Sequence, residues 1–170
     1  MGKSIIALII TFVYLTPPQQ SRIQKIIQEE NKRQGTMVDN LTRFERAGII
    51  ENISGQNDVF FYNHTYLGDC SEFDPDLNKD KLKALYFIIE ASIAHELSMQ
   101  IKGQKRFIDI GKLGYDIYFY YECQNGLVLS SIKFELIGNQ LVYKENSDQD
   151  IVERIDHNLL KKRLKQFVRQ

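Results

Sequence analysis

The spacing of hydrophobic positions changes several times along the chain, and each change marks an element. Ile23, Ile26 and Ile27 recur at helical spacing and give a narrow apolar stripe over Gln20 to Gln34, which Gly35 ends. Two stretches with a period of two follow, Leu41 to Ile53 and Val59 to Leu67, and the turn-forming run Ser54 to Asp58 between them makes a hairpin. In the second stretch Phe60, Tyr62, His64 and Tyr66 share one face, while Val59, Phe61, Asn63, Thr65 and Leu67 share the other. Apolar residues on both faces place this strand inside a sheet, with a helix over at least one side.

Helical spacing returns after an acidic connector, Asp69 to Asp80. Asp74-Pro75 has the residue order of an N-cap and first helical position. Leu82, Leu85, Tyr86, Ile89, Ile93, Leu97 and Ile101 then keep three- and four-residue steps to about Lys102. Gly103 to Gly114 reads as a glycine-punctuated link. Tyr115 to Cys123 and Leu127 to Ile137 alternate around Gln124-Asn125-Gly126, a strong hairpin signal, and Gly138-Asn139 leads into a short strand from Gln140 to Tyr143. Ser147-Asp148-Gln149-Asp150 has the form of a capping box and opens a last helix to Val168, whose stripe runs through Ile151, Ile155, Leu159, Leu160, Leu164 and Phe167. The pattern predicts an α+β domain: an antiparallel, meandering sheet of about five strands against three helices, in the order αββαβββα. The aromatic strands Val59 to Tyr66 and Tyr115 to Tyr121 are expected at its centre.

Ahead of this domain an uncharged apolar run, Ile5 to Leu15, follows Lys3 and ends at Thr16-Pro17-Pro18. As a helix it reaches about 16 Å, against the roughly 30 Å of a bilayer core. The order of basic residue, apolar stretch and prolines reads as a signal peptide or signal anchor over residues 1–18, leaving 19–170 as one domain. A buried strand is the alternative. Retained, the run would tether the protein to a membrane. Export implies a periplasmic or envelope location, where Cys70 and Cys123 would have the chance to form one disulfide instead of two free thiols.

Composition narrows the function classes. The 22 basic residues are matched by 22 acidic ones, so no dominant field favours nucleic acid and none is expected as a partner. The balance hides local bias: the connector is acidic, while the last helix carries Arg154, Lys161, Lys162, Arg163, Lys165 and Arg169 against Glu153 and Asp156. This basic face could meet anionic lipid or nucleic acid, but the bases in the last turns complement the C-terminal end of the helix dipole, and a solvated basic face needs no ligand. Ten Phe and nine Tyr with no Trp mean that the core, or one sheet face, is built from single-ring aromatics.

Chemistry-bearing patterns are few. His95-Glu96 begins a zinc-protease helix motif, but Met99 stands where the second histidine belongs. Asp74, Asp76, Asn78 and Asp80 alternate as calcium-loop ligands do, yet Lys79 replaces the turn glycine and Leu85 the bidentate carboxylate. His64, set among aromatics, reads as a packing histidine. No metal and no cofactor is expected.

Asn31 to Arg43, with Met37-Val38-Asp39 and Thr42-Arg43, followed by Phe61-Tyr62-Asn63-His64-Thr65-Tyr66, resembles a family of small uncharacterised bacterial exported proteins with MVD-x-x-TR and YNYT-like segments. Phe107-Ile108, Gly111 and the aromatic hairpin around Asn125-Gly126 are similar to that family's closing hairpin, so the likeness runs from Gln20 to Leu136. His64 stands where a Tyr is usual, Glu122-Cys123-Gln124 replaces an Asp-Lys pair, and the basic C-terminal helix extends beyond the usual end. The resemblance implies export and an α+β fold, and no activity.

These readings point to a non-enzymatic binding protein of the bacterial envelope with a protein partner, such as an immunity or inhibitor protein. The alternatives are a small hydrolase-like enzyme using His64 or His95, and a membrane-tethered assembly factor. The exposed face of the aromatic strands is the expected binding surface, with Tyr62, His64, Tyr66, Tyr118 and Tyr120 as candidates.

Overall fold

The computed structural model describes residues 17–51 and 57–168. The run Ile5 to Leu15, most of the loop between the first two strands, and Arg169 lie outside the described residues. Along the chain come α1 (Pro17–Asn31), β1 (Thr42–Ile50), β2 (Val59–Tyr66), a short 3-10 turn (Ser71–Phe73), α2 (Lys79–Ile101), α3 (Lys105–Lys112), β3 (Asp116–Cys123), β4 (Val128–Ile137), β5 (Gln140–Lys144) and α4 (Asp148–Val168). The fold is α+β, with five strands in one sheet in the order β1-β2-β3-β4-β5.

Two expectations are corrected. The sheet is mixed: β1–β2, β3–β4 and β4–β5 pair antiparallel, but β2–β3 is parallel. The cause is the connection. A 23-residue helix rises about 35 Å, enough to carry the chain back past an eight-residue strand of about 26 Å, so β3 starts from the same end as β2. The link between Gly103 and Gly114 also holds a helix, which makes the order αββααβββα. In α3 Phe107 and Ile110 sit three residues apart and are buried, while Gly111 inside the helix lets β4 approach: a Cβ there would lie 2.7 Å from Leu136 Cβ.

The helix starts also differ in detail. Asn78, not Asp74, caps α2, its side chain accepting from the Asp80 and Lys81 amides at 2.9 and 3.2 Å. Asp74 and Asp76 instead hold Lys162 of α4 at 2.7 and 2.6 Å. At α4, Asp150 Oδ2 accepts from the Ser147 amide at 2.6 Å and Ser147 Oγ accepts from the Asp150 amide at 3.2 Å, a reciprocal capping box.

All the apolar residues that α1, α2 and α3 bury against the sheet meet one face of it. Ile23, Ala94, Leu97, Ile101, Phe107 and Ile110 cluster with Phe44, Ala47, Phe60, Tyr62, Ile117, Phe119, Ile132 and Phe134. A second cluster joins Leu82 and Tyr86 of α2 to Ile151 and Ile155 of α4, over Leu127, Leu129 and the cysteines. Cys70 and Cys123 are bonded, Cα to Cα 6.4 Å, which staples the connector before α2 to the end of β3.

Candidate functional site

The parallel register of β2 and β3 decides where the predicted residues go. Phe61 lies beside Tyr118 and Asn63 beside Tyr120, while Tyr62 lies beside Phe119 and His64 beside Tyr121. Neighbours across a sheet share a face. Tyr62 and His64 therefore point inward under the helices, and Tyr118 and Tyr120 point outward with Phe61 and Asn63. Tyr66, at the end of β2, packs on the second core cluster. The five residues form two sites back to back, not one exposed surface.

On the outer face Tyr118 and Tyr120 stack with centroids 5.7 Å apart, and Tyr120 meets Phe61 edge-on at 6.4 Å. The Arg46 guanidinium lies 5.5 Å from the Phe61 ring centre and Lys133 Nζ 5.8 Å from that of Tyr118. Gly48 of β1 makes room for the Phe61 ring, since a Cβ there would stand 2.8 Å from it. Lys133 is gripped by Asp116 at 2.9 Å and Glu135 at 2.8 Å. Burial works to lower the Lys133 ammonium, but the bonds to Glu135 and Asp116 outweigh it and hold its pKa above the usual value. Burial pushes both tyrosine hydroxyls up, so they remain neutral phenols at any physiological pH. The result is a half-buried aromatic ledge bordered by cations, chemistry suited to holding a protein surface.

On the inner face His64 is 6% exposed and stacks on Tyr121 at 4.9 Å, and Tyr62, 4% exposed, stacks on Phe119 at 5.0 Å. Burial lowers the His64 pKa to about 4, against a hydrogen bond to the Tyr120 backbone that works the other way, so the ring is neutral. Burial, followed by the charge of Glu30, pushes the Tyr62 hydroxyl well above its usual range. Tyr62 Oη and His64 Nδ1 have no hydrogen-bond partner in the protein, and both residues line a cavity of about 90 Å³. Glu30 at its rim is matched by Arg106 at 3.2 Å and Arg33 at 3.7 Å.

No Ser, Thr or Cys lines this cavity, and the cysteines are bonded to each other. His95 is exposed on α2. The two predicted histidines thus occupy different environments, His64 buried beside a cavity lined by no described nucleophile and His95 exposed on α2 between Ser92 and Ser98, one turn away on either side. Among the described residues no group of three His, Cys, Asp or Glu is placed to hold a metal.

Phe61, Arg46 and Asn63 were not among the predicted site residues. Phe61 was visible on the opposite face of its strand from Tyr62; what sequence could not supply was which face Tyr118 and Tyr120 share with it. Comparison with protein-family models, curated proteins and solved structures finds no match to this chain.

Proposed function

We propose that the protein is a non-enzymatic binding protein of the bacterial envelope that works by protein–protein contact, as an immunity or inhibitor protein does. The observation that carries this reading is the outer face of the sheet. Aromatic residues there stack on one another beneath a cation, and tyrosine, phenylalanine and arginine are the residue types that concentrate at interface cores. A bonded cysteine pair fits an oxidising compartment. The apolar run from Ile5 to Leu15 and the likeness to small exported proteins support the same location. Among the described residues no helix is long and apolar enough to cross a membrane.

The test is retention of a partner from a periplasmic extract on the immobilised protein, compared between the wild type and the double variant Tyr118→Ala, Tyr120→Ala. Met99→Ala, on the exposed side of α2, is the control. The reading expects a discrete partner held by the wild type and the control, and held at least about tenfold more weakly by the double variant, since truncating one interface anchor costs more than about 1.4 kcal/mol. Equal retention by a folded double variant sinks it. So does the absence of any partner together with a cytosolic location.

A further inference from the structure

Two of the buried polar atoms without a partner on the inner face, Tyr62 Oη and His64 Nδ1, belong to residues that line one cavity of about 90 Å³, room for roughly three waters. Unpaired polar atoms in an aromatic interior are costly, and two of them around one space mark a place built to receive hydrogen bonds. Val38, Leu97, Gln100 and Tyr121, which wall this cavity, also wall a second one of about 250 Å³. That second cleft adds the apolar Leu41, Ile89, Ile93, Leu129 and the ring of Tyr66, with Asp39, Thr42 and Glu96 also in its walls. Its lip is the loop before β1, closed by the Val38 amide donating to the Thr42 carbonyl at 2.8 Å, and there Val38 and Leu41 stay 42% and 47% exposed.

We propose that these adjoining spaces bind a small amphipathic molecule, with a neutral hydroxyl or carboxamide head at Tyr62 and His64 and a short apolar body along Tyr121, Leu97 and Ile93. A hydroxyl or carboxamide both donates and accepts, as a phenol and an imidazole nitrogen together require. A charged head is disfavoured because Tyr62 and His64 present only neutral groups to it and an ion there gives up its water, while Arg33 and Arg106 are engaged with Glu30 and the second cleft is flanked by Asp39 and Glu96. The two spaces together sit near the low end of the roughly 300–1,000 Å³ of ligand pockets, which limits the body to a short chain. Tyr66, predicted as a site residue, serves here beside the body. The site lies on the opposite face of the sheet from the aromatic ledge, so it stands or falls independently of the proposed function.

The experiment is a titration of the isotope-labelled protein with hexanol, hexanamide and sodium hexanoate. It follows the backbone amides of Tyr62, His64, Leu97 and Tyr121 and the ring nitrogens of His64 by nuclear magnetic resonance. Hexanol and hexanamide are expected to shift these signals to saturation, and hexanoate to bind at least about tenfold more weakly. Tyr62→Phe, which keeps the ring and removes the hydroxyl, weakens hexanamide about tenfold, the loss of one hydrogen bond. Its own spectrum checks that the fold is kept. The proposal is overturned if neither neutral probe saturates at these residues, if hexanoate binds as well as hexanamide, or if folded Tyr62→Phe binds as the wild type does.

Discussion

His64 shows how one side chain's surroundings set its behaviour. At 6% exposure among Phe44, Phe119 and Tyr121 its pKa falls to about 4 from 6.5, because the interior penalises the charged ring. The unfolded chain therefore takes up this proton first as pH falls. Its contribution is complete above pH 6.5 and is lost between 6.5 and about 4, to a limit of about 3 kcal/mol. Urea midpoints measured across that window are expected to decline with acid in the wild type. In His64→Phe, which also removes the unpaired Nδ1, the decline should be smaller by about that amount. An identical decline in both proteins would show that His64 does not titrate as a buried base. The alternation of residues along β2 made His64 and Tyr62 legible as companions, whereas their burial depended on which face the helices chose.

Among the elements, α4 shows how a helix can complete a sheet. β5 pairs with β4 only from Lys133 to Ile137, so the outer edge of Val128 lacks a strand partner. Asn158 of α4, fully buried, supplies one: its Oδ1 accepts from the Val128 amide at 2.9 Å, and its Nδ2 donates to the Val128 carbonyl at 2.9 Å and to Tyr86 Oη at 3.0 Å. One turn earlier Arg154 pairs with the buried Glu90 of α2, which also accepts from the Ser131 amide at 3.3 Å. Asn158→Ala leaves three buried groups unpaired and is expected to cost about 3 kcal/mol or more, read as a lower urea midpoint with unchanged slope. A loss below about 0.5 kcal/mol would place these groups in contact with water. The capping box at Ser147 and the buried Ile151 and Ile155 could be read in the sequence, but Leu160, Leu164 and Phe167 of the predicted stripe are exposed, and the buried face takes in Arg154 and Asn158 instead. The spacing from Ile151 and Ile155 puts Asn158 on the buried face, but what it bonds could not be read, since its partners lie thirty and seventy-two positions away.

At the scale of the molecule, the Cys70–Cys123 bond and the parallel pairing of β2 with β3 constrain the same segment. The crossover through α2 and α3 leaves from the end of β2 and returns to the start of β3, and the bond ties its first turn to the far end of β3 across a separation of 53 residues. Closing a loop of that length restricts the unfolded chain by about 4 kcal/mol. Reduction, or Cys70→Ser with Cys123→Ser, is expected to lower the unfolding free energy by that order while leaving far-ultraviolet circular dichroism unchanged in the absence of denaturant. Equal midpoints with and without reductant would show that the bond adds nothing to stability. A disulfide of this kind also links the compartment to the fold, because a reducing environment would remove it.

Periodicity alone determined the α+β class, eight of the elements near their final positions, and the Asn125-Gly126 turn, where Gly126 takes φ +81°. These are local properties, set by neighbours a few residues apart. Three features needed the tertiary structure. The direction of β3 relative to β2 depends on the length of the helical crossover. The existence of α3 depends on a buried face of just Phe107 and Ile110, too short to stand out between two glycines. The division of Tyr62 and His64 from Tyr118 and Tyr120 depends on register, in which a shift of one residue moves every side chain to the other face. Register is a relation between segments more than fifty residues apart, so neither strand's own pattern contains it.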